Sequence, residues 1–333
     1  FAYSCLQYYH QPLDGDMAWN LVPAAEVQPI LRDPLGLQAI LHGETYPNPN
    51  RFFSHWIYRT YLLGVPALLQ NWFAPITSVY LACAIAKGAV HLILIGLLSR
   101  MVLGPDRSKT DYLLLACLLT PFFQSSFFRD YIGIIDPATS YLFFYALPAI
   151  FLLWFALPFT DRLLHLSERR LTVRQLCYII PLAGVSCLSG PLNPGVVLVA
   201  LTCVAVAWSA GGFRLRDLAW PEWISLTAIA VFALYSLYLG QYNSLTIGSQ
   251  IPLAELYAKL PAGLLRQFTT KLAFPLLFLA LTINLFLLRR APLFRYLLLF
   301  AVLYVLLLPL GGYREYRPGI VRYDTILPLT LLL

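Results

Sequence analysis

Apolar and polar positions alternate along this chain on the scale of whole helices. Hydrophobic runs of the ~17–25 residues that a bilayer-crossing helix needs fall at about 76–103, 112–128, 138–159, 174–190, 194–210, 222–241, 270–288 and 293–311, and another begins near 323. The runs at 174–190 and 194–210 are parted only by Gly190-Pro191-Leu192-Asn193-Pro194, a composition that makes a tight turn. The chain opens on a short apolar stub, Phe1 to Leu6, and stops inside an apolar run at Leu333. It is therefore expected to be a fragment, lacking most of a first membrane helix and whatever follows the last. The pattern predicts an all-α, polytopic transmembrane helix bundle. Residues 1–75 hold the end of a first membrane helix and a long outer loop, and residues 76–333 form the multi-span domain.

The first loop is patterned too. Val27, Ile30, Leu31, Leu35, Ile40 and Leu41 recur near helical spacing with polar residues between them, and Pro29 and Pro34 interrupt any single helix. Two short helices lying in the membrane interface fit this pattern. The aromatic stretch from Phe52 to Phe73 suits a further interfacial helix or a re-entrant piece.

Charge assigns the sides. Twelve cations fall in short connections: Arg100, Arg107 and Lys109; Arg162, Arg169, Arg170 and Arg174; Arg214 and Arg216; Arg289, Arg290 and Arg295. The positive-inside rule puts these loops in the cytoplasm, and every expected span then alternates sides. The segment from about Tyr8 to Pro75 and the loops 129–137, 242–269 and 312–322 go to the other side. The protein is expected in a bacterial inner membrane or its equivalent, with its active face non-cytoplasmic.

Composition agrees. Charged residues make up 12% of the chain and hydrophobic ones 59%, with a mean hydropathy of +0.69. Soluble domains carry about a quarter charged residues, so a water-soluble globule is a poor explanation. The net charge of +7 sits in short loops, where it marks topology and lipid headgroup contact and not nucleic acid binding. Twenty-four prolines are tolerable in bundled membrane helices, where neighbours satisfy the freed carbonyls. The six cysteines lie mostly inside apolar runs with no CxxC pair and read as small buried hydrophobes. No phosphate-binding G-x-x-x-x-G-K-[ST], G-x-S-x-G or H-E-x-x-H motif occurs, nor any secretory signal peptide.

Four groups of residues could carry chemistry. In Pro12-Leu13-Asp14-Gly15-Asp16-Met17-Ala18-Trp19-Asn20 two carboxylates flank a glycine just after the first apolar stub. They could share a metal, or one could act as a base on an acceptor hydroxyl; the plainer reading is a solvated turn capping the next helix. The segment from Gly311 to Asp324 holds Arg314, Arg317, Arg322, Tyr313, Tyr316 and Tyr323 on the side where cations are least expected. Arginine grips phosphate with a planar fork of donors, and an interfacial belt touching lipid headgroups is the rival account. Arg129 beside Asp130 reads as a loop ion pair, and Asp130 or Asp136 could complete an acidic site with Asp16. Lys87 and His91 share one face of the 76–103 helix, at a depth where ionisable groups are costly and functional by default. His42 and His55 lack zinc-ligand spacing and read as loop residues.

The arrangement resembles the GT-C class of membrane glycosyltransferases in its many helices, its long first outer loop and its acidic motif just after the first span. Only Asp14-Gly15-Asp16 matches a class motif closely; Arg314, Arg317 and Arg322 match by location and chemistry. The resemblance implies that Asp14 or Asp16 serves as base or as ligand to a divalent cation, Mg2+ or Mn2+. It implies a polyprenyl-phosphate-linked sugar donor whose phosphate is held by basic residues near the outer surface. Arg129, Tyr316, Trp19 and His55 join the three arginines as candidate substrate contacts. Membrane lipid is the other expected partner. The rival functions are a lipid or polysaccharide flippase that uses Lys87 and His91 to line a path, and a non-catalytic membrane scaffold subunit. A polymerase-like or ligase-like enzyme of O-antigen would share the outer arginines without needing the acidic pair.

Overall fold

The computed structural model describes residues 1–22, 25, 27–123, 125–126, 130–131, 134–163, 170–209, 218–247, 251–270, 282–283, 286–287, 292–311, 321–322 and 324–332. The protein is all-α. The strand pairing among the described residues is a two-residue antiparallel pair, Ser125–Ser126 with Asp130–Tyr131. Four helices among them are long and apolar enough to cross a membrane: Pro75–Leu103, Thr139–Arg162, Trp220–Gly240 and Phe294–Gly311. Val173–Cys187 and Asn193–Ser209 are apolar but shorter.

The N-terminal region is a chain of short helices: α1 (Ala2–Tyr9), α2 (Asp16–Leu21), α3 (Gln28–Arg32), α4 (Leu37–His42) and then α5 (Phe52–Leu69). The two short helices expected between 26 and 41 are α3 and α4. Pro34 separates them, whereas Pro29 sits in the first turn of α3, where its missing N–H has no intrahelical bond to make. Asp33 caps α4 by accepting from the amides of Leu37 (2.7 Å) and Gln38 (2.8 Å), and it also accepts from the Tyr46 hydroxyl (2.8 Å). Val27, Ile30, Ala39 and Tyr46 form a small core of their own. The loop reaches across to the end of a later helix: Gly36 adopts φ +68°, and a Cβ there would stand 2.5 Å from the Leu239 side chain. His55 belongs to α5, and His42 is the last residue of α4, so neither is a loop residue as the sequence suggested.

The main body comprises α6 (Pro75–Leu103), α7 (Lys109–Leu119), α8 (Thr139–Tyr141), a π turn (Leu142–Ala146), α9 (Leu147–Leu163), α10 (Val173–Cys187), α11 (Asn193–Ser209), α12 (Trp220–Gly240), α13 (Ser244–Ile247), α14 (Leu253–Thr270), α15 (Pro292–Leu307) and α16 (Leu327–Leu332). α8, the π turn and α9 run on as one apolar rod. Pro148 explains the π turn: with no N–H it cannot bond the Phe144 carbonyl, and the backbone widens by one residue to compensate. α7 is shorter than the run expected at 112–128. It tightens into a 3-10 turn at Thr120–Phe123, where Pro121 removes an amide from the helix ladder. The run expected at 270–288 lies largely outside the described residues.

Charged residues gather at one end of the helices. Arg100, near the end of α6, makes a two-pronged pair with Asp161 near the end of α9 at 2.7 Å, and Arg162 reaches Glu222 at the start of α12 at 2.5 Å. Glu222 also accepts from the amide of Ala219 (2.7 Å), so one buried carboxylate both neutralises a guanidinium and caps a helix. Lys87 and Arg100 on α6 meet Pro137 and Asp161 in the same order, so α6 and the α8–α9 rod run parallel.

Candidate functional site

The opposite end of the rod collects the polar residues. The turn Asp14-Gly15-Asp16 precedes α2, and Asp16 occupies that helix's first turn, exposed to solvent. Asp14 does something different. One carboxylate oxygen accepts from the Ser140 amide (3.2 Å) and the other from the Ser140 hydroxyl (2.8 Å). Ser140 is fully buried, and the residue before α8 is Ala138, which has no side chain to cap it. Asp14 therefore caps α8 from 126 residues away. The plain expectation of a turn that caps its own following helix is replaced by a cap supplied across the bundle.

Lys87 closes the same corner from below. Its ammonium donates to the Gln11 side-chain carbonyl (2.6 Å) and to the Pro137 carbonyl (2.5 Å), with only 1% of the residue exposed. The charges of Asp136 and Asp14 lie within its electrostatic reach. Asp136 is itself buried and accepts from the Ala138 amide (2.7 Å). His91, one turn further along α6, stacks on Phe123 with ring centres 4.6 Å apart and meets the Tyr8 hydroxyl at 2.9 Å. Both α6 residues are thus enclosed by packing and do not line an open path.

The next residue of the rod faces the C-terminal segment. Tyr141 and Tyr145, ring centres 5.7 Å apart, line a cavity of about 10 Å³ with Asp136, Asp324 and Leu327. That volume holds about one water. Arg322 donates to the Asp324 carboxylate, and both Arg322 and Arg51 act electrostatically on the Tyr145 hydroxyl. Asp14 of the acidic turn thus binds Ser140, and Asp324, the partner of Arg322, shares a cavity with Tyr141, the next residue of the same helix.

α5 forms another wall. Tyr58 is fully buried against Phe143 and Phe144, and its hydroxyl has no hydrogen-bond partner among the described residues. Burial first, then the charges of Asp14 and Asp16, push this phenol up, so it stays protonated. His55 packs on Phe144 at 4.7 Å. Burial, followed by the nearby Arg51 charge, lowers its imidazole to about 3, so it is neutral at physiological pH and cannot balance a phosphate by charge. The Arg59 guanidinium donates to the Leu21 carbonyl and fastens α2 to α5.

The other expected contacts separate as follows. Trp19 is half-buried against the small core of Val27, Ile30, Ala39 and Tyr46. Arg129, Arg314, Tyr316 and Arg317 lie outside the described residues, and so do the side-chain surroundings of Asp130. Sequence reasoning missed Ser140, Tyr145, Gln11 and Arg51. Asp136-Pro137-Ala138-Thr139-Ser140 ahead of an apolar run is a helix-start signal that could have directed attention to Ser140.

A divalent cation fits this corner poorly. Asp14 already accepts two hydrogen bonds, the Lys87 ammonium contributes positive charge to the same field, and no three His, Cys, Asp or Glu side chains converge among the described residues. Compared with known proteins, the chain matches no family model, no curated protein and no solved structure.

Proposed function

We propose that the protein is a multi-pass membrane glycosyltransferase that takes a sugar from a polyprenyl-phosphate-linked donor on the non-cytoplasmic face. One observation supports the reading above others: Asp14 binds Ser140 while Asp324, the partner of Arg322, shares a cavity with the adjacent Tyr141, at the end of the bundle away from the Arg100–Asp161 and Arg162–Glu222 pairs. Carboxylate and guanidinium at one membrane-embedded corner are what transfer from a lipid phosphate requires.

Roles follow from exposure. Asp16 is solvent-facing and takes the proton as the acceptor oxygen attacks the anomeric carbon of the sugar. The bond from that carbon to the phosphate oxygen breaks, and the lipid phosphate leaves with the electron pair. Arg322 stabilises the developing charge: its planar fork carries five donors, of which one carboxylate can occupy two. Asp14 positions the turn by its hold on Ser140. Because the corner suits a cation poorly, no step passes through a metal.

The test is sugar transfer from a radiolabelled polyprenyl-phosphate donor in proteoliposomes. Asp16→Asn is expected to lower transfer by at least about a hundredfold with an unchanged melting temperature. Arg322→Gln is expected to lower it comparably while weakening donor binding. Full transfer by both variants would remove the proposal.

A further inference from the structure

Among the described residues α14 is the most sharply divided helix, and its three faces ask for three environments. Leu256 and Leu260 are buried against Val199, Tyr304, Leu308 and Val321. Turned about 100° from them, by the helical repeat, Leu253 (50% exposed), Tyr257, Pro261 and Leu265 (64% exposed) follow one another at four-residue spacing. Glu255, Lys259 and Arg266 lie together roughly 160° round from the centre of that stripe. Lys259 and Glu255 pair at 2.5 Å along the charged face.

Such a helix is unsuited to crossing a bilayer, since each charge at mid-depth costs about 2.5–3.5 kcal/mol. A wholly aqueous setting suits it no better, because it would wet the leucine stripe. Its position supplies the answer. α14 packs on the 3-10 turn Leu308–Gly311, the last turn of the apolar helix Phe294–Gly311. The Tyr257 hydroxyl donates to the Leu306 carbonyl at 2.9 Å. Val302, Leu306 and Leu310 of that helix are each about half exposed, so its apolar surface adjoins the α14 stripe where Tyr257 meets Leu306.

We infer that α14 is an in-plane membrane anchor. It lies in the headgroup layer across the end of the Phe294–Gly311 helix, with Leu253, Tyr257, Pro261 and Leu265 in the acyl chains and Glu255, Lys259 and Arg266 in water. The occupant of its exposed apolar stripe is lipid. This inference is independent of the transfer reaction and survives if that reaction is disproved.

Nitroxide labels read the arrangement directly. Cys117 and Cys177, the exposed cysteines among the described residues, are first replaced by serine. Single cysteines are then introduced as Pro261→Cys, Leu265→Cys, Glu255→Cys and Arg266→Cys in the full chain, reconstituted in phosphatidylcholine vesicles. Collision with lipid-soluble oxygen is compared with collision with a water-soluble nickel chelate. Labels at 261 and 265 are expected to favour oxygen several-fold, and labels at 255 and 266 to favour nickel several-fold. A label at 265 that favours nickel means a water-facing stripe and overturns the inference. A label at 265 shielded from both means that a second copy or another protein covers the stripe, and this overturns it too. Labels at 255 and 266 that favour oxygen would show that the helix does not lie in the interface. Pro261 and Leu265 are exposed, so their substitution leaves the packed Leu256–Leu260 face intact.

Discussion

An imidazole enclosed as fully as that of His55 ties the protein's stability to pH. The folded protein holds His55 neutral down to about 3, whereas the unfolded chain protonates it from 6.5. Between those values the unfolded state binds a proton that the folded state refuses. The His55 contribution to stability is therefore constant above about 6.5 and falls as the pH drops below it, by up to about 1.4 kcal/mol per pH unit. Thermal unfolding in detergent at pH 7 and pH 5 should show this loss, and His55→Gln should lessen it; an equal loss in the variant would exclude His55 as a source. Asp14 makes a second prediction. Asp14→Ala leaves the buried Ser140 amide and hydroxyl without their acceptor and should cost about 2 kcal/mol, while Asp14→Asn, which keeps an acceptor oxygen, should cost less than half of that. Equal melting temperatures for the two variants would contradict the capping role. Asp14 was visible in the sequence because two carboxylates around a glycine are conspicuous beside an apolar stub. Its partner was not, because nothing local in a sequence links Asp14 to Ser140.

The helices were legible wherever apolar composition alone decides, as at Pro75–Leu103 and Trp220–Gly240. Prolines were harder to read, since their effect depends on the turn they occupy. Pro29 starts α3, Pro34 separates two helices, Pro121 tightens the end of α7, and Pro148 widens a turn inside an otherwise continuous rod. That widened turn is held by close neighbours. Asn193 donates to the Pro148 carbonyl at 2.9 Å, and a Cβ on Gly190 would stand 2.8 Å from the Pro148 Cβ. Gly190→Val should therefore push the α10–α11 turn away from the rod and destabilise the protein by about 2 kcal/mol or more. An unchanged melting temperature in that variant would show that the contact yields without cost.

Across the whole molecule, the alternation of cation-rich loops foretold which residues would share an end. Arg100 and Arg162, placed together on charge alone, both lie at the end opposite Asp14 and Ser140. The carboxylates that receive them were not foreseen, because Asp161 and Glu222 stand alone at the margins of apolar runs. Glu222 is 1% exposed, so removing its guanidinium strands a buried charge. Arg162→Met should cost roughly 3–5 kcal/mol, and the double variant with Glu222→Gln should recover part of that loss. Additive losses in the two single variants would mean that the pair is not coupled.

The clamp on Lys87 has a consequence for access. Lys87 stands twelve residues into α6, about 18 Å along the helix from Pro75, yet it holds Gln11, three residues before Asp14, and Pro137, two before the rod's first residue Thr139. The corner is consequently tied to the middle of α6 and not to its Pro75 end. For the transferase proposed above, a donor dissolved among the acyl chains would then approach the corner from the side, while Asp16 stays open to a water-borne acceptor.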